Sequence, residues 1–369
     1  MFSGNYNYVR EGANQALNRL VRHAEDHGDE VRVYSPVTDT PAFEPEGVLV
    51  PVPSIALPMR NEFRLAPGLP RAVREDVRRF APDLIHVSTP DILGTRAQTF
   101  AKRLGVPVVA SLHTRFETYF EHYGLGWARP LADAHLRRFY RRSDHVLAPT
   151  PALVAEMKRL RGDGQVSLWS RGVDRDLFGP GRRDLEWRRA QGFADDDVVV
   201  LFFGRLVLEK GVRDYVATVQ RVRDRGAVVR PLVVGAGPAE AVFGELPDAV
   251  LTGHLDGPQL ARAIASADVL IHPSRTEAFG NVVLEAMASG LAIVSAATDS
   301  SEALIEHGRS GILCADADPD AFAGEIIALV EHAERRRELG AEAHAASGSF
   351  SWSAASDSVL DAYRSLVPN

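Results

Sequence analysis

The amino-acid sequence predicts an α/β fold of two doubly wound, Rossmann-like domains that face one another across a cleft. The first observation is the length, because 369 residues correspond to two domains of the usual ~100–200 residues. The second is that short apolar runs alternate with amphipathic helical stretches, and that this alternation occurs twice along the chain. Runs this apolar indicate parallel strands that helices cover on both faces. Open sheets of this kind bind ligands at the carboxyl ends of their strands, so the cleft is the expected ligand site.

Each half of the chain shows the pattern separately. The strand candidates of the first half are residues 31–36, 48–54, 84–88, 106–113, 145–150 and 166–170. Those of the second half are residues 198–204, 231–237, 249–255, 268–274, 292–296 and 311–315. Helical periodicity separates many of them, as in residues 13–28, 91–105, 212–226 and 280–290.

The domain boundary is expected in residues 171–184, where glycine, proline and charged residues cluster without a period. We therefore predict an N-terminal domain over 1–172 and a C-terminal domain over 173–350, with a last helix in 351–369 that can pack back on the first domain. Only Met1 and Phe2 precede the glycine-containing segment that opens the chain, whereas a strand has about five residues. Either the first strand is abbreviated or several apolar residues are missing before Met1, and we favour the second.

Composition excludes several classes of protein. A single cysteine, Cys314, rules out an intramolecular disulfide and argues against a cysteine-based zinc site. No apolar run reaches the ~18 residues of a membrane span, and no signal-peptide pattern is present, so a cytoplasmic protein is expected. The net charge is −7, with 24 Lys and Arg against 21 Asp and Glu in residues 1–180 and 18 against 28 in the remainder. An acidic chain is a poor candidate for general nucleic-acid binding, so no nucleic-acid partner is predicted.

Two glutamates mark the densest polar constellation, which lies in residues 273–290. Glu277 follows an apolar strand, and Glu285 lies eight positions later, inside the helix predicted to start near Gly280 and Asn281. Backbone N–H groups around Phe279, Gly280 and Asn281 are placed to bind an anion or a sugar hydroxyl. From the residues alone, a capping carboxylate and a surface glutamate explain the pattern as well.

Two cations lie in a second constellation, residues 202–212. Arg205 directly follows an apolar strand, and Lys210 lies five residues beyond it. Cations on the loop leaving a buried strand suit a diphosphate, since charge-assisted hydrogen bonds are strong when shielded from water. Two solvated loop cations remain the alternative at this point.

Together these motifs resemble a known family. GRLVLEKG, VVGAGP, TGHL, ASADVLIHPSRTEAFGNVVLEAMASG and the terminal aromatic helix are similar to the nucleotide-sugar domain of retaining glycosyltransferases with the GT-B fold, family four. The two glutamates match that family's glutamate–seven residues–glutamate signature. Within the family, the segments 110–127 and 273–290 look closest to bacterial mannosyl- and glucosyltransferases that act on lipid acceptors.

The resemblance implies a reaction and a role for each candidate residue. A hexose, mannose or glucose, would move with retention from a nucleoside diphosphate sugar such as GDP-mannose to a lipid or glycan hydroxyl, as in glycolipid biosynthesis, with no cofactor and no metal. By this resemblance Arg205 and Lys210 would bind the diphosphate, and Glu285 would bind the ribose. Glu277, with Phe279, Gly280 and Asn281, would orient the transferred sugar. Gly12 would let the backbone approach the donor phosphates closely, and His113 would hydrogen-bond a sugar hydroxyl.

Three other classes of protein compete with this interpretation. A nucleotide-sugar epimerase of the same architecture would need acid/base groups, for which His113 and His254 are the candidates. A Rossmann oxidoreductase is suggested by residues 235–240, but Glu240 replaces the third glycine of the fingerprint. A nucleotide-sugar-binding protein without turnover is the third. The acidic clusters 174–176, 195–197 and 316–318 are interpreted as turns and helix starts, where aspartate is favoured, rather than as metal ligands.

Residues 114–145 contain the sequence features that bear on the acceptor. Four arginines, Arg137, Arg138, Arg141 and Arg142, are spaced to lie on adjoining faces of one helix. Just upstream are five aromatic residues, Phe116, Tyr119, Phe120, Tyr123 and Trp127. This combination predicts peripheral contact with an anionic membrane at its inner face. An ordinary amphipathic helix that packs its aromatics into the core is the alternative.

Overall fold

The structure, a computed structural model, describes residues 1–9, 11–57, 60–113, 129–315 and 318–367. The chain forms two compact units. Unit 1 comprises Met1–Gly172 and Trp352–Asn369, and unit 2 comprises Val173–Ser351. The C-terminal segment therefore returns to unit 1.

Unit 1 is a parallel α/β layer with one antiparallel pair. Its strands are β1 (Arg32–Ser35), β2 (Val48–Pro51), β3 (Ile55–Leu57), β4 (Arg60–Leu65), β5 (Ile85–Val87), β6 (Val108–Ser111), β7 (His145–Ala148) and β8 (Val166–Leu168). Its helices are α1 (Gly12–Asp26), α2 (Arg71–Phe80), α3 (Ile92–Leu104), α4 (Arg129–Arg142), α5 (Pro151–Arg161) and, from the end of the chain, α13 (Trp352–Arg364). Strands β5, β6, β7 and β8 pair in that order, and β1 pairs with β2, all in parallel.

The first strand of the sequence prediction is present only as an isolated bridge. Phe2 bridges Tyr34 of β1 and Val87 of β5 in parallel, with the Phe2 N–H donating to the His86 carbonyl at 2.7 Å. The abbreviated strand thus joins β1 to β5.

The antiparallel pair β3–β4 was not predicted. The strand predicted over 48–54 is shorter in the structure, because β2 ends at Pro51 and a separate strand begins at Ile55. Proline at 51 and again at 53 removes the backbone donors that a longer ladder would need.

The last helix packs on the first. Val359 and Leu360 of α13 share a buried apolar cluster with Leu17 and Leu20 of α1. The Arg19 guanidinium lies over the Trp352 ring, 4.9 Å from its centroid. The predicted terminal helix is therefore part of the core of unit 1.

Unit 2 is a single six-stranded parallel sheet, in the order β11–β10–β9–β12–β13–β14. Its strands are β9 (Val199–Phe203), β10 (Arg230–Val234), β11 (Val250–Leu251), β12 (Val269–His272), β13 (Ala292–Ala296) and β14 (Ile312–Cys314). Its helices are α6 (Leu185–Ala190), α7 (Val212–Asp224), α8 (Gly257–Ala265), α9 (Asn281–Ala288), α10 (Asp299–Glu302), α11 (Pro319–Glu331) and α12 (Ala333–Ser347). Apolar clusters cover both faces of the sheet, which confirms the predicted α/β class.

The strand order of unit 2 identifies its ligand edge, which is the edge of the sheet where ligands are expected to bind. Successive strands run outward from β9 to β11 on one side and from β12 to β14 on the other. The order therefore reverses between β9 and β12, which is the topological switch point where open α/β sheets bind ligands. The loops that leave the carboxyl ends of β9 and β12 are the ones to inspect for chemistry.

Candidate functional site

Two charged side chains meet at this switch point. Lys210 follows β9 and Glu277 follows β12, and the Lys210 Nζ donates to Glu277 Oε1 at 2.6 Å. The Lys210 side chain is 28% exposed and that of Glu277 17% exposed. The two sequence constellations, 67 residues apart in the chain, therefore form one site.

Gly211 permits this approach of the two loops. It has a left-handed backbone with φ of 76°, and a Cβ at this position would lie 2.8 Å from Cγ of Pro273, in the loop after β12. A side chain here would force the loops apart. A hydrogen bond also joins the two loops, since the Thr276 hydroxyl donates to the Glu209 carbonyl at 3.2 Å.

Glu277 is held as a carboxylate. Its burial acts to raise its pKa, but the Lys210 ammonium and the His272 ring oppose this more strongly, and the pKa of Glu277 lies well below its ordinary value. A lowered pKa leaves the group ionised at neutral pH, so it accepts hydrogen bonds and is unsuited to act as a general acid.

His272, which was not predicted from the sequence, is the third residue of the site. It is the last residue of β12 and is buried. Its Nδ1 lies 3.0 Å from Ser295 Oγ, and its Nε2 lies 3.8 Å from Glu277 Oε1. Within the described part of the chain, Nε2 is buried without a hydrogen-bond partner. The only sequence signal was a histidine that ends an apolar strand just before the Glu277 loop.

The start of α9 supplies backbone donors beside Glu277. Gly280 precedes the helix with φ of 97°, and the buried Phe279 packs its ring on Phe350 at 6.3 Å. The first N–H groups of a helix have no partner within it, and they attract negative charge. Asn281 Oδ1 is buried without a hydrogen-bond partner in the described chain. Glu285 is half-buried one helical turn further on.

Arg205 completes the predicted set in unit 2. It is half-buried in the loop that joins β9 to the short turn Leu208–Lys210, and its carbonyl accepts from the Val207 N–H at 3.0 Å. The structure thus places Arg205, Lys210, Glu277, Phe279, Gly280, Asn281 and Glu285 on loops and one helix at the ligand edge of one sheet.

The other two predicted residues lie in unit 1. Gly12 is the first residue of α1 and half-buried, next to Glu11, whose N–H donates to Asn14 Oδ1 at 3.0 Å. His113 lies just beyond the carboxyl end of β6. Both positions are at helix or strand ends, as expected of ligand-facing residues in such sheets.

His113 belongs to a buried hydrogen-bonded chain. Arg171 Nη2 donates to His113 Nδ1 at 2.9 Å, and His113 Nε2 lies 2.7 Å from Ser111 Oγ. Ser111 Oγ lies 2.7 Å from His86 Nε2, and His86 Nδ1 contacts the Tyr363 hydroxyl of α13. A sugar hydroxyl that binds His113 through a ring nitrogen must therefore replace one of these protein partners.

The donor and acceptor of each hydrogen bond in this series are fixed, because the Arg171 guanidinium at its start only donates. His113 Nδ1 must accept from Arg171, so a neutral His113 carries its proton on Nε2 and donates to Ser111. The Ser111 hydroxyl then donates to His86 Nε2, which leaves the His86 Nδ1–H to donate to Tyr363. Of these residues only His113 was predicted, because Arg171 lies 58 residues away in the sequence and the role of Ser111 depends on its contact with His86.

Arg171 is expected to control the protonation of His113. Burial, then the Arg171 charge and then His86, hold the pKa of His113 well below its ordinary value. Replacing Arg171 by methionine removes a repelling cation, so we expect the pKa of His113 to rise, and the ring to protonate at a higher pH than in the wild type. Titration of the histidine ring signals by NMR measures this, with Tyr363→Phe as a control at the far end of the chain. An unchanged His113 titration in Arg171→Met would contradict the assignment.

Helix α4 carries the arginines of the sequence prediction. Arg141 Nε donates to the Leu160 carbonyl at 2.8 Å, and Arg142 Nη2 donates to Thr99 Oγ1 at 2.9 Å. Arg137 and Arg138 are exposed. A groove of about 500 Å³ runs along these arginines. The predicted aromatic residues Phe116, Tyr119, Phe120, Tyr123 and Trp127 lie outside the described residues.

The competing sequence motifs have structural roles. The segment 235–240 leads into a 3-10 turn at Glu240–Glu245 rather than into the α-helix that a dinucleotide fingerprint opens. Asp174 and Asp318 accept from backbone N–H groups of the turn or helix that follows each of them. Asp195 pairs with Arg189 at 2.5 Å, and residues 316 and 317 lie outside the described residues.

Comparison with known proteins places these features in context. Residues 10–177 match the family model described as Glycosyltransferase Family 4, and residues 197–332 match that described as Glycosyl transferases group 1. The chain is 34% identical to the GDP-mannose-dependent alpha-mannosyltransferase of Mycolicibacterium smegmatis, over 96% of this chain and 94% of that protein. It is 25% identical to the alpha-monoglucosyldiacylglycerol synthase of Acholeplasma laidlawii, over 85% of this chain and 83% of that protein.

Among solved structures, the chain is similar to sucrose-phosphate synthase from Thermosynechococcus elongatus. The TM-score is 0.78 with 19% identity, over 99% of this chain and 98% of that one. At this identity the likeness concerns the fold, and it confirms the predicted GT-B class. In the described part of the chain, no helix has the length and apolarity needed to cross a membrane.

Proposed function

Because the chain belongs to the family-4, group 1 glycosyltransferases, we propose that it transfers a hexose from a nucleoside diphosphate sugar to an acceptor hydroxyl with retention and without a metal ion. The observation that carries the proposal is the Lys210–Glu277 pair at the switch point of unit 2. The alternative of a nucleotide-sugar epimerase finds no support in the relatives, which are named for sugar transfer and lipid synthesis.

Lys210 and Arg205 are placed to stabilise the nucleoside diphosphate as it leaves. The Lys210 ammonium has three N–H donors and donates one to Glu277, so two are available for diphosphate oxygens. Arg205 and the first N–H groups of α9 add positive potential at the same edge. Stabilising the departing charge is usually the largest catalytic term, and these groups supply it without a cation from solution.

Glu277 suits the transferred sugar. An ionised carboxylate accepts hydrogen bonds from sugar hydroxyls, and its own position is fixed by Lys210. Glu285, one turn into α9, is the partner proposed for the ribose.

In the proposed reaction the bond from the anomeric carbon to the phosphate oxygen breaks as the bond to the acceptor oxygen forms on the same face. The acceptor proton passes to the departing phosphate oxygen, so no enzyme nucleophile is needed. The donor proposed is GDP-mannose, because a relative at 34% identity is named for its dependence on that donor.

Transfer can be separated from the other activities by one assay. The enzyme, treated with EDTA, is incubated with GDP-mannose in the presence and absence of an acceptor glycolipid extract, and released GDP is measured. We expect GDP only when the acceptor is present, at a rate that magnesium does not change. Loss of transfer in EDTA with recovery in magnesium would refute the metal-free reaction, and a new sugar nucleotide without acceptor would indicate an epimerase.

We place the acceptor on a lipid that is presented at an anionic membrane. Residues 1–180 carry a net charge of +3, whereas the chain as a whole carries −7. Arg137 and Arg138 are exposed on α4, and Leu131 on the same helix is 71% exposed. Each arginine near an anionic leaflet contributes about 1 kcal/mol of attraction. A relative named as a diacylglycerol glucoside synthase supports this acceptor class.

Membrane attraction is tested by co-sedimentation with liposomes. Wild type should sediment with anionic but not neutral vesicles at low salt, and the attraction should fade at 1 M salt, where the Debye length is about 3 Å. Arg137→Glu/Arg138→Glu should abolish it. The matched control is Lys102→Glu/Arg103→Glu, which reverses two exposed charges on α3. Equal loss in both variants would show a net-charge effect and contradict a role for α4.

A further inference from the structure

A cluster of histidines and a carboxylate lies at the far end of α1. His23 is in the last turn of this helix, His27 follows it, and Asp357 belongs to α13. His23 Nε2 lies 2.7 Å from Asp357 Oδ1, and the two imidazole rings lie 4.3 Å apart between centroids. One potential ligand atom from each residue lies within 4.8 Å of the others. Histidines at i and i+4 with a third ligand are a recurrent zinc-binding arrangement.

The tautomer of His27 is the one that a metal ligand needs. Its Nδ1 lies 2.7 Å from the His23 carbonyl oxygen. A carbonyl only accepts, so Nδ1 carries the proton and Nε2 of the neutral ring presents a lone pair. Metal-binding histidines commonly donate their other N–H to a backbone carbonyl in this way, which fixes the ring for coordination.

We propose that His23, His27 and Asp357 bind a divalent cation of the zinc class and thereby fasten α13 to α1. His23 Nε2 now donates its proton to Asp357 Oδ1, so zinc would have to displace this proton on binding. Two neutral imidazole nitrogens and one carboxylate oxygen are then ligands that zinc accepts, with water in the fourth position. Ligand atoms around tetrahedral zinc lie about 3.3 Å apart. His27 and Asp357 are exposed, so their side chains can close the remaining distance without disturbing the core.

The site is separate from the proposed transfer chemistry. His23 lies 11 residues after Gly12 in helix α1, so about 16 Å of helix separates Gly12 from this cluster. The cation would therefore stabilise unit 1 without taking part in turnover. Cys314 does not compete as a ligand, because it is buried and burial raises its pKa to about 12.

The test uses the full chain without a polyhistidine tag, stripped of metal, with Zn²⁺ as the probe. Binding is measured by equilibrium dialysis and by the rise in Tm. The variants are His27→Gln and Asp357→Asn. The control is His332→Gln, because His332 is exposed and its Nδ1 also lies near the carbonyl four residues earlier, at 3.0 Å, but no second histidine adjoins it in the sequence.

Wild type and His332→Gln should bind one Zn²⁺ and unfold at a higher temperature, and EDTA should reverse this. His27→Gln and Asp357→Asn should weaken binding about tenfold or more. Unchanged zinc affinity in His27→Gln, or no zinc retained by the wild type, would overturn the proposal. A transfer rate that zinc does not change would support a structural site that is separate from turnover.

Discussion

Replacing Lys210 by alanine is expected to lower kcat/KM for sugar transfer by about 100-fold or more, a loss typical of removing one preorganised charge stabiliser. Two effects add in the same direction. The leaving diphosphate loses a cation, and Glu277, which is only 17% exposed, loses the ammonium 2.6 Å from its Oε1. The pKa of Glu277 then rises, because only His272 still opposes the effect of burial, so the remaining activity should fall at mildly acidic pH where wild type is unaffected.

A double-mutant cycle separates these contributions. Lys210→Ala, Glu277→Gln and the double variant are compared in steady-state kinetics. We expect the double variant to lose less than the sum of the single losses in free energy, since each residue acts partly through the other. A Lys210→Ala enzyme with wild-type kcat/KM would refute the assignment of this lysine to the donor phosphates.

Glu277→Gln and Glu285→Gln are expected to fail in different ways. Glutamine at 277 keeps the size of the side chain but loses the charge that accepts sugar hydroxyls, so transfer should fall strongly while binding of GDP alone is retained. Glutamine at 285 removes a ribose partner, so binding of GDP and of GDP-mannose should weaken together.

Titration calorimetry with GDP, followed by GDP-mannose, distinguishes the two glutamates. Thermal unfolding of both variants without ligand is the control, because Glu277 is also a structural partner of Lys210. Equal loss of GDP affinity in both variants would contradict the division of roles between sugar and ribose.

The sheet of unit 2 could be predicted because each strand is marked by its own short run of apolar residues. The apolar runs at β9, β10, β12 and β13 are buried on both faces, and this leaves a signal in each short segment. Strand β11 is the exception, since only Val250–Leu251 pair, although seven residues there appeared strand-like. The antiparallel pair β3–β4 escaped prediction because the proline-rich segment before it obscured where one strand ends and the next begins.

The candidate site could be predicted only in part, for a related reason. Lys210 and Glu277 were found separately through their loops, but their contact depends on Gly211 lying against Pro273, a packing detail that no local pattern contains. His272 and the partners of His113 were missed because most of their contacts join distant positions, such as His86 and Tyr363, which are 277 residues apart. A buried histidine gains its role from such partners and carries no sequence signature of its own.

The most direct measurement is an experimental structure of the chain with GDP-mannose bound, from crystals grown in EDTA. We expect the diphosphate within hydrogen-bond distance of Lys210 Nζ and the Arg205 guanidinium, the mannose at Glu277, and the ribose at Glu285. A donor bound away from the switch point between β9 and β12, or binding only when a divalent ion bridges the diphosphate to the protein, would contradict these assignments.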